Sequence, residues 1–154
     1  MPEFTILPYT SGEAKILHDI ETKCFSDPWS LSQFEAIESL DCAEYYTAKV
    51  GEKTVGFVGL YLLDVGEIVN ISVLPEYRRR GIAAALLERA QHSAARHGLD
   101  KLYLEVRKSN EAAKNLYGKF GFSPVSVRKD YYDLPKEDAV IMIKDIHKDE
   151  NTCS

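Results

Sequence analysis

The sequence has little that would make it anything other than an ordinary globular domain. Its longest apolar stretch, 55–63, is too short for a helix to cross a bilayer, so no membrane association is expected. The start, Met1-Pro2-Glu3-Phe4, has neither the basic region nor the apolar run of a secretory signal. Cysteine is scarce: Cys24, Cys42 and Cys153 are odd in number and widely spaced, with no C-x-x-C pair. Neither a disulfide framework nor a zinc knuckle is indicated, and reduced thiols in a cytoplasmic protein are expected. His92 and His97 do not share a helix face and no H-E-x-x-H occurs, so no metal is expected. Positive charge is also in the minority: 19 Lys and Arg against 24 Asp and Glu give a net charge of -5, the wrong sign for a dedicated nucleic-acid binder. There is no G-x-x-x-x-G-K-[ST] for a P-loop, no G-x-G-x-x-G after a strand and no G-x-S-x-G.

What is present suits one domain. The chain has 154 residues, 45% hydrophobic and 28% charged, enough to bury a core without staples. One domain is expected over 1–146, with a polar tail at 147–154. A first strand is predicted at 4–7 and a helix over 11–24, where Ala14, Leu17, Ile20 and Cys24 recur at helical spacing. Ser30 followed by Gln33 is a capping-box pattern and starts a second helix. Strands at 45–50, 55–63 and 68–74 have connections too short for a crossover, so they form an antiparallel meander. The Ala/Leu-rich segment 82–97 is a helix with Gly98 at its C-terminal cap. Residues 101–107 alternate as a strand. A helix over 110–120 ends at Gly121, and strands at 122–127 and 139–143 close the domain. The expected class is a mixed α/β sheet flanked by helices, turning parallel at the 68–101 crossover.

One connection carries chemistry. Pro75-Glu76-Tyr77-Arg78-Arg79-Arg80-Gly81-Ile82-Ala83-Ala84 joins a strand to a helix, with three arginines before a glycine. A helix start has unpaired N–H groups and partial positive charge, which suits a phosphate. Gly81 lets the backbone approach an anion, and the arginines add charge-assisted contacts. From pattern alone a basic turn with a glycine cap is an equal reading. On the same basis Glu105 reads as a solvated strand carboxylate paired with Arg107, Tyr117 as a core aromatic, and Asn110 as a helix cap.

The placement of Arg78-x-x-Gly81-x-Ala83 between Ile71-Ser72-Val73-x-Pro75 and an Ala/Leu-rich helix resembles the pyrophosphate loop of the GNAT acetyltransferase superfamily. Within it, several segments resemble the bacterial ribosomal-protein-alanine N-acetyltransferases: Asn70-Ile71-x-Val73, Leu104-Glu105-Val106-Arg107-x-Ser109-Asn110, Leu116-Tyr117, Gly121-Phe122, Pro28-Trp29-Ser30, Tyr131-Tyr132 and Glu137-Asp138-Ala139. The resemblance implies a GNAT fold with a seven-stranded mixed sheet and about four helices. It also implies acetyl-CoA as co-substrate and the N-terminus of a small-subunit ribosomal protein as acceptor. The backbone of Ile71, Ser72 and Val73 would meet the pantetheine arm, amides from Arg79 to Ala84 the pyrophosphate, and Asn110 the coenzyme. Glu105 is then the general base and Tyr117 the general acid. Trp29, Tyr131 and Tyr132 are candidates in exposed loops for gripping the acceptor. The competing readings are acetylation of a lysine or a small-molecule amine, a non-catalytic acyl-CoA-binding module, and an anion-binding scaffold for nucleotides.

Overall fold

The computed structural model describes residues 3–146, and the polar tail expected at 147–154, with Cys153, lies outside the described residues. In chain order the elements are β1 (Thr5–Pro8), α1 (Ala14–Cys24), α2 (Leu31–Ala36), β2 (Ala43–Val50), β3 (Lys53–Leu62), β4 (Gly66–Val73), α3 (Ile82–Arg96), β5 (Lys101–Arg107), α4 (Glu111–Lys119), β6 (Ser123–Asp133) and β7 (Lys136–Asp145). They build the mixed seven-stranded sheet, in the order β1-β2-β3-β4-β5-β7-β6.

The meander β2-β3-β4 is antiparallel and β4 pairs with β5 in parallel, as the short turns and the one long crossover require. Local signals explain most boundaries. Ser30 and Gln33 close a reciprocal capping box on α2. Gly98, at φ 74°, follows α3 in the left-handed conformation that ends a helix. β3 is central, and Val55, Phe57, Val58 and Leu60 on it are fully buried. Its two faces carry different helices. Phe57 meets Phe34 of α2 edge-on at 5.7 Å, whereas Tyr46, beside Val58, reaches Ser93 of α3.

The closing strands are longer than the sequence suggests. β6 and β7 form one hairpin reaching Asp133 and Lys136, so Tyr131 and Tyr132 stand on a strand and not in a loop. β6 is an edge strand exposed along almost its whole length. Without a buried face its residues need not alternate, and the polar run Arg128-Lys129-Asp130 masks it.

One irregularity positions the site. In the β3–β4 register Gly59 pairs with Asn70 and the next residue, Leu60, with Ile68, which leaves Val69 as an extra residue on β4. A bulge of this kind bends and twists its strand. The parallel pairing of β4 with β5 stops at Ile68–Leu104, just before Val69. Beyond that point β4 stays on β3 and separates from β5, and a cleft opens between them. The bulge also exchanges the faces of β4. Gly66 packs toward Leu102 and Ala94 of α3, whereas Asn70 reaches Glu21 of α1.

Candidate active site

The cleft is a cavity of about 720 Å³, a size suited to a small-molecule ligand. One wall is the freed edge of β4. Leu74 N–H donates to Val55 O of β3 at 2.8 Å. In a strand the N–H and C=O of one residue point to one side and those of the next residue to the other, so those of Val73 and Ile71 turn away from β3, into the cleft. The Val73 carbonyl there accepts from the Cys24 thiol at 3.4 Å and from Arg78 Nε at 3.0 Å. Burial pushes the Cys24 thiol pKa up, so Cys24 acts as a packed donor and not as a nucleophile. Ser72 Oγ, buried near that thiol, has no hydrogen bond of ordinary geometry among the described residues.

The same wall continues into the start of α3. A 3-10 turn, Pro75–Tyr77, leads to Arg79 at φ 65° and Gly81 at φ 82°. No side chain caps this helix; its first intrahelical bond runs from Ala85 N to Gly81 O. The amides of Ile82, Ala83 and Ala84 therefore have no intrahelical partner, and all three residues line the cavity. Arg78 and Arg79 line it too. Arg80 is not among the lining residues; it donates to Glu76 O at 3.2 Å and lies over the Tyr77 ring. Two of the other helix starts differ: Asn110 of α4 accepts from Ala113 N at 3.1 Å, and Ser30 caps α2; α1, like α3, has no side-chain cap.

The opposite wall is made of side chains. Glu105 lies on β5 where the strands part, its side chain 12% exposed. It does not pair with Arg107. Its Oε1 accepts from Tyr131 Oη at 2.8 Å, and Arg128 Nε stands 3.5 Å from Oε2. Burial first, and then the bond to Glu105, push the Tyr131 phenol to about 12, so it stays a proton donor to that carboxylate. Tyr117 of α4 also lines the cavity. It is 7% exposed, packs on Phe122 and makes no hydrogen bond within the described residues, and burial raises its phenol to about 12. Trp29 is half-buried against Phe34 at 5.3 Å, and Tyr132 lies under the Arg107 guanidinium at 4.3 Å.

Several lining residues escaped the sequence reading. Glu21 of α1 is 3% exposed; its Oε2 accepts from Trp29 N at 2.7 Å and its Oε1 from Asn70 Nδ2 at 3.2 Å. Asn70 in turn accepts from Tyr45 Oη. Tyr45 can lie across the sheet because Gly59 beneath it has no side chain; a Cβ there would stand 2.2 Å from the ring. Burial raises the Glu21 pKa despite these donors. The register that brings Glu21, Asn70 and Tyr45 together is long-range, and no local pattern announces it. Among the described residues no group of His, Cys, Asp and Glu side chains is placed to hold a metal ion, and no helix is long and apolar enough to cross a membrane.

Uncapped amides beside two arginines suit a diphosphate, and the freed strand edge suits an extended amide-bearing arm. Glu105 and Tyr117, both lining the same cavity, suit proton transfer at the end of such an arm.

Comparison with known proteins gives a concordant result. The sequence model of the acetyltransferase (GNAT) family matches residues 14–122. A Bacillus subtilis protein named as a putative ribosomal protein bS18-alanine N-acetyltransferase is 35% identical over 129 residues, 82% of this chain and 85% of its own. The Escherichia coli ribosomal protein bS18-alanine N-acetyltransferase is 31% identical over 140 residues, 90% of this chain and 95% of its own. A crystal structure of the Escherichia coli enzyme superposes with a TM-score of 0.86, covering 94% of each chain.

Proposed function

The chain belongs to the acetyltransferase (GNAT) family and is an acetyl-transferring enzyme, and from that premise we propose that it moves acetyl from acetyl-CoA to the N-terminal α-amine of a small-subunit ribosomal protein, an alanine, in the cytoplasm. The observation that carries the acceptor assignment is near-full-length similarity, 31–35% identity, to enzymes named for that reaction.

In this reading the diphosphate sits on the amides of Ile82, Ala83 and Ala84 between Arg78 and Arg79. The pantetheine arm runs along Val73 and Ile71, and the thioester reaches Glu105. The acceptor arrives as an ammonium. An α-amine has a pKa near ~8 against ~10.4 for lysine, so a carboxylate base acting through water suffices. The neutral nitrogen attacks the thioester carbonyl, the tetrahedral species collapses, and the C–S bond breaks. The nitrogen loses two protons in all; one ends on the coenzyme thiol and the other in solvent.

Tyr117 supports the departing sulfur. With its phenol at about 12 it is fully protonated at neutral pH. Against a thiol near ~8.5 complete transfer to a free thiolate is uphill. Its contribution is therefore a hydrogen bond that strengthens as charge builds on sulfur, with the proton moving only as another replaces it. Tyr131 and Arg128 hold the Glu105 carboxylate toward the acceptor side of the cavity.

The test is incubation with acetyl-CoA and native small-subunit ribosomal proteins, followed by mass-spectrometric mapping of the modified amine. Acetylation of an N-terminal alanine is expected. Modification of lysine side chains or small amines alone would remove the N-terminal assignment, and tight coenzyme binding with no acetylated product would indicate a binding module.

A further inference from the structure

Arg107 follows Glu105 on the same face of β5, yet it takes no part in the chemistry described above. Both terminal nitrogens of its guanidinium are engaged twice. Nη1 donates to Pro135 O at 2.9 Å and to Glu137 Oε1 at 3.2 Å. Nη2 donates to Leu134 O at 3.0 Å and pairs with Asp27 Oδ1 at 3.0 Å, and the plane stacks on Tyr132. Its side chain is only 15% exposed.

These partners come from two segments that share no element. Asp27 lies in the connection between α1 and α2, two residues before Trp29. Leu134 and Pro135 are the tip of the β6–β7 hairpin, separated from Tyr131 and Tyr132 by Asp133 alone. The two segments touch each other directly as well, for Ser26 Oγ donates to Leu134 O. The far end of each is pinned separately: Trp29 N–H by Glu21, and Glu137 by the Ser109 amide at 2.6 Å. Arg107, with four contacts spread over both segments, is thus the main fastening between two loops that otherwise share the single Ser26–Leu134 bond and are anchored to their own sides of the cavity.

We propose that Arg107 is a positioning residue for the acceptor. It clamps the 25–29 connection to the β6–β7 tip, and so fixes the spacing between Trp29 on one side and Tyr131 and Tyr132 on the other. The inference rests on reading those aromatics as the acceptor's wall. It concerns Arg107 as a planar fork and not merely as a charge. Carbonyl and carboxylate acceptors arranged around one plane match a guanidinium, whereas a lysine ammonium cannot reach them together. A displacement of about 1 Å at a positioning group can cost on the order of 100-fold in rate, so a loosened fastening is expected to register in acceptor binding first.

The experiment compares wild type with Arg107→Gln, Arg107→Lys and Asp27→Asn. Hydrogen exchange is read by mass spectrometry on peptides covering 24–29 and 130–138, and KM is measured for an alanine-starting peptide and for acetyl-CoA. Arg107→Gln should raise exchange in both segments together, and raise the peptide KM roughly 10- to 100-fold with the acetyl-CoA KM within about twofold of wild type. Arg107→Lys should not restore the peptide KM. Asp27→Asn, which leaves the hairpin contacts intact, should loosen 24–29 alone and give a smaller rise; it serves also if Arg107→Gln does not fold. Unchanged exchange in both segments, full rescue by lysine, or a parallel rise in both KM values would overturn the clamp. If wild type acetylates no α-amine, the acceptor reading fails by itself, and the exchange data still decide whether Arg107 fastens the two segments.

Discussion

The two walls of the cavity are made in opposite ways. The wall of β4 and α3 comes from one stretch of chain, residues 69–84, and offers mostly backbone: turned-out peptides at Ile71 and Val73, and uncapped amides at the start of α3. The facing wall gathers side chains from α1, the 25–29 connection, β5, α4 and the β6–β7 hairpin. A backbone-built wall tolerates side-chain changes, except where conformation demands one residue, and suits a ligand whose shape never varies. A wall of side chains can be retuned one residue at a time, which is what an acceptor site needs.

That contrast can be broken by substitution, and the largest effect should come from the side-chain wall. Glu105→Gln should lower kcat roughly 10²- to 10⁴-fold while acetyl-CoA binds as before; full activity would remove Glu105 from the mechanism. Next comes Tyr117, whose folded pKa of about 12 exceeds the ordinary ~10. A raised pKa means that the burial of Tyr117 is free of penalty below about pH 10 and loses up to about 3 kcal/mol as pH climbs toward 12. Tyr117→Phe should therefore lose less stability than wild type between pH 10 and 12 in denaturant titrations, and its kcat at neutral pH should fall.

The backbone wall should respond most at Gly81. At φ 82° an alanine costs about 1–2 kcal/mol, so Gly81→Ala should weaken acetyl-CoA by about tenfold in calorimetry with the acceptor KM unchanged. Arg80→Ala, by contrast, removes a side chain directed to Glu76 and Tyr77 and should move affinity about twofold or less. The smallest informative effect is at the capped helix. Asn110→Ala should cost about 1 kcal/mol of stability, and a simultaneous loss of acetyl-CoA affinity would show that Asn110 serves the ligand as well as the helix.

The same division governs how much could be read in advance. Alternation over 101–107 predicts β5 at its observed bounds, and α3 with its Gly98 cap and the Ser30 capping box follow from signals within a few residues. The arginine turn was legible because its chemistry is local too. The strands that 122–127 and 139–143 predict stop short of the observed hairpin because β6 buries neither face, and because Asp130, at φ 55°, sits in the register break between Arg128 and Tyr132. The Glu105–Arg107 pairing expected from spacing gave way to partners from β6 for one residue and from two loops for the other. Glu21 looked like any helix glutamate until Asn70 and Trp29 were brought to it across the sheet. The bulge at Val69, which opens the cleft, leaves no mark in composition or periodicity.

That bulge has a mechanical consequence. Among the described residues the sheet is two panels whose strands are joined by Gly66–Leu102, Glu67–Tyr103 and Ile68–Leu104, all on the near side of the bulge. An arm of coenzyme laid along the free border of β4 would act as an extra strand, bridging the panels from within. Loading the donor would then stiffen the molecule as well as arm it, by about 2.7 kcal/mol at a concentration of 100 Kd. The gain in exchange protection should concentrate on the far panel, β5 with the β6–β7 hairpin, so that the acceptor meets a firm surface only once there is an acetyl group to receive.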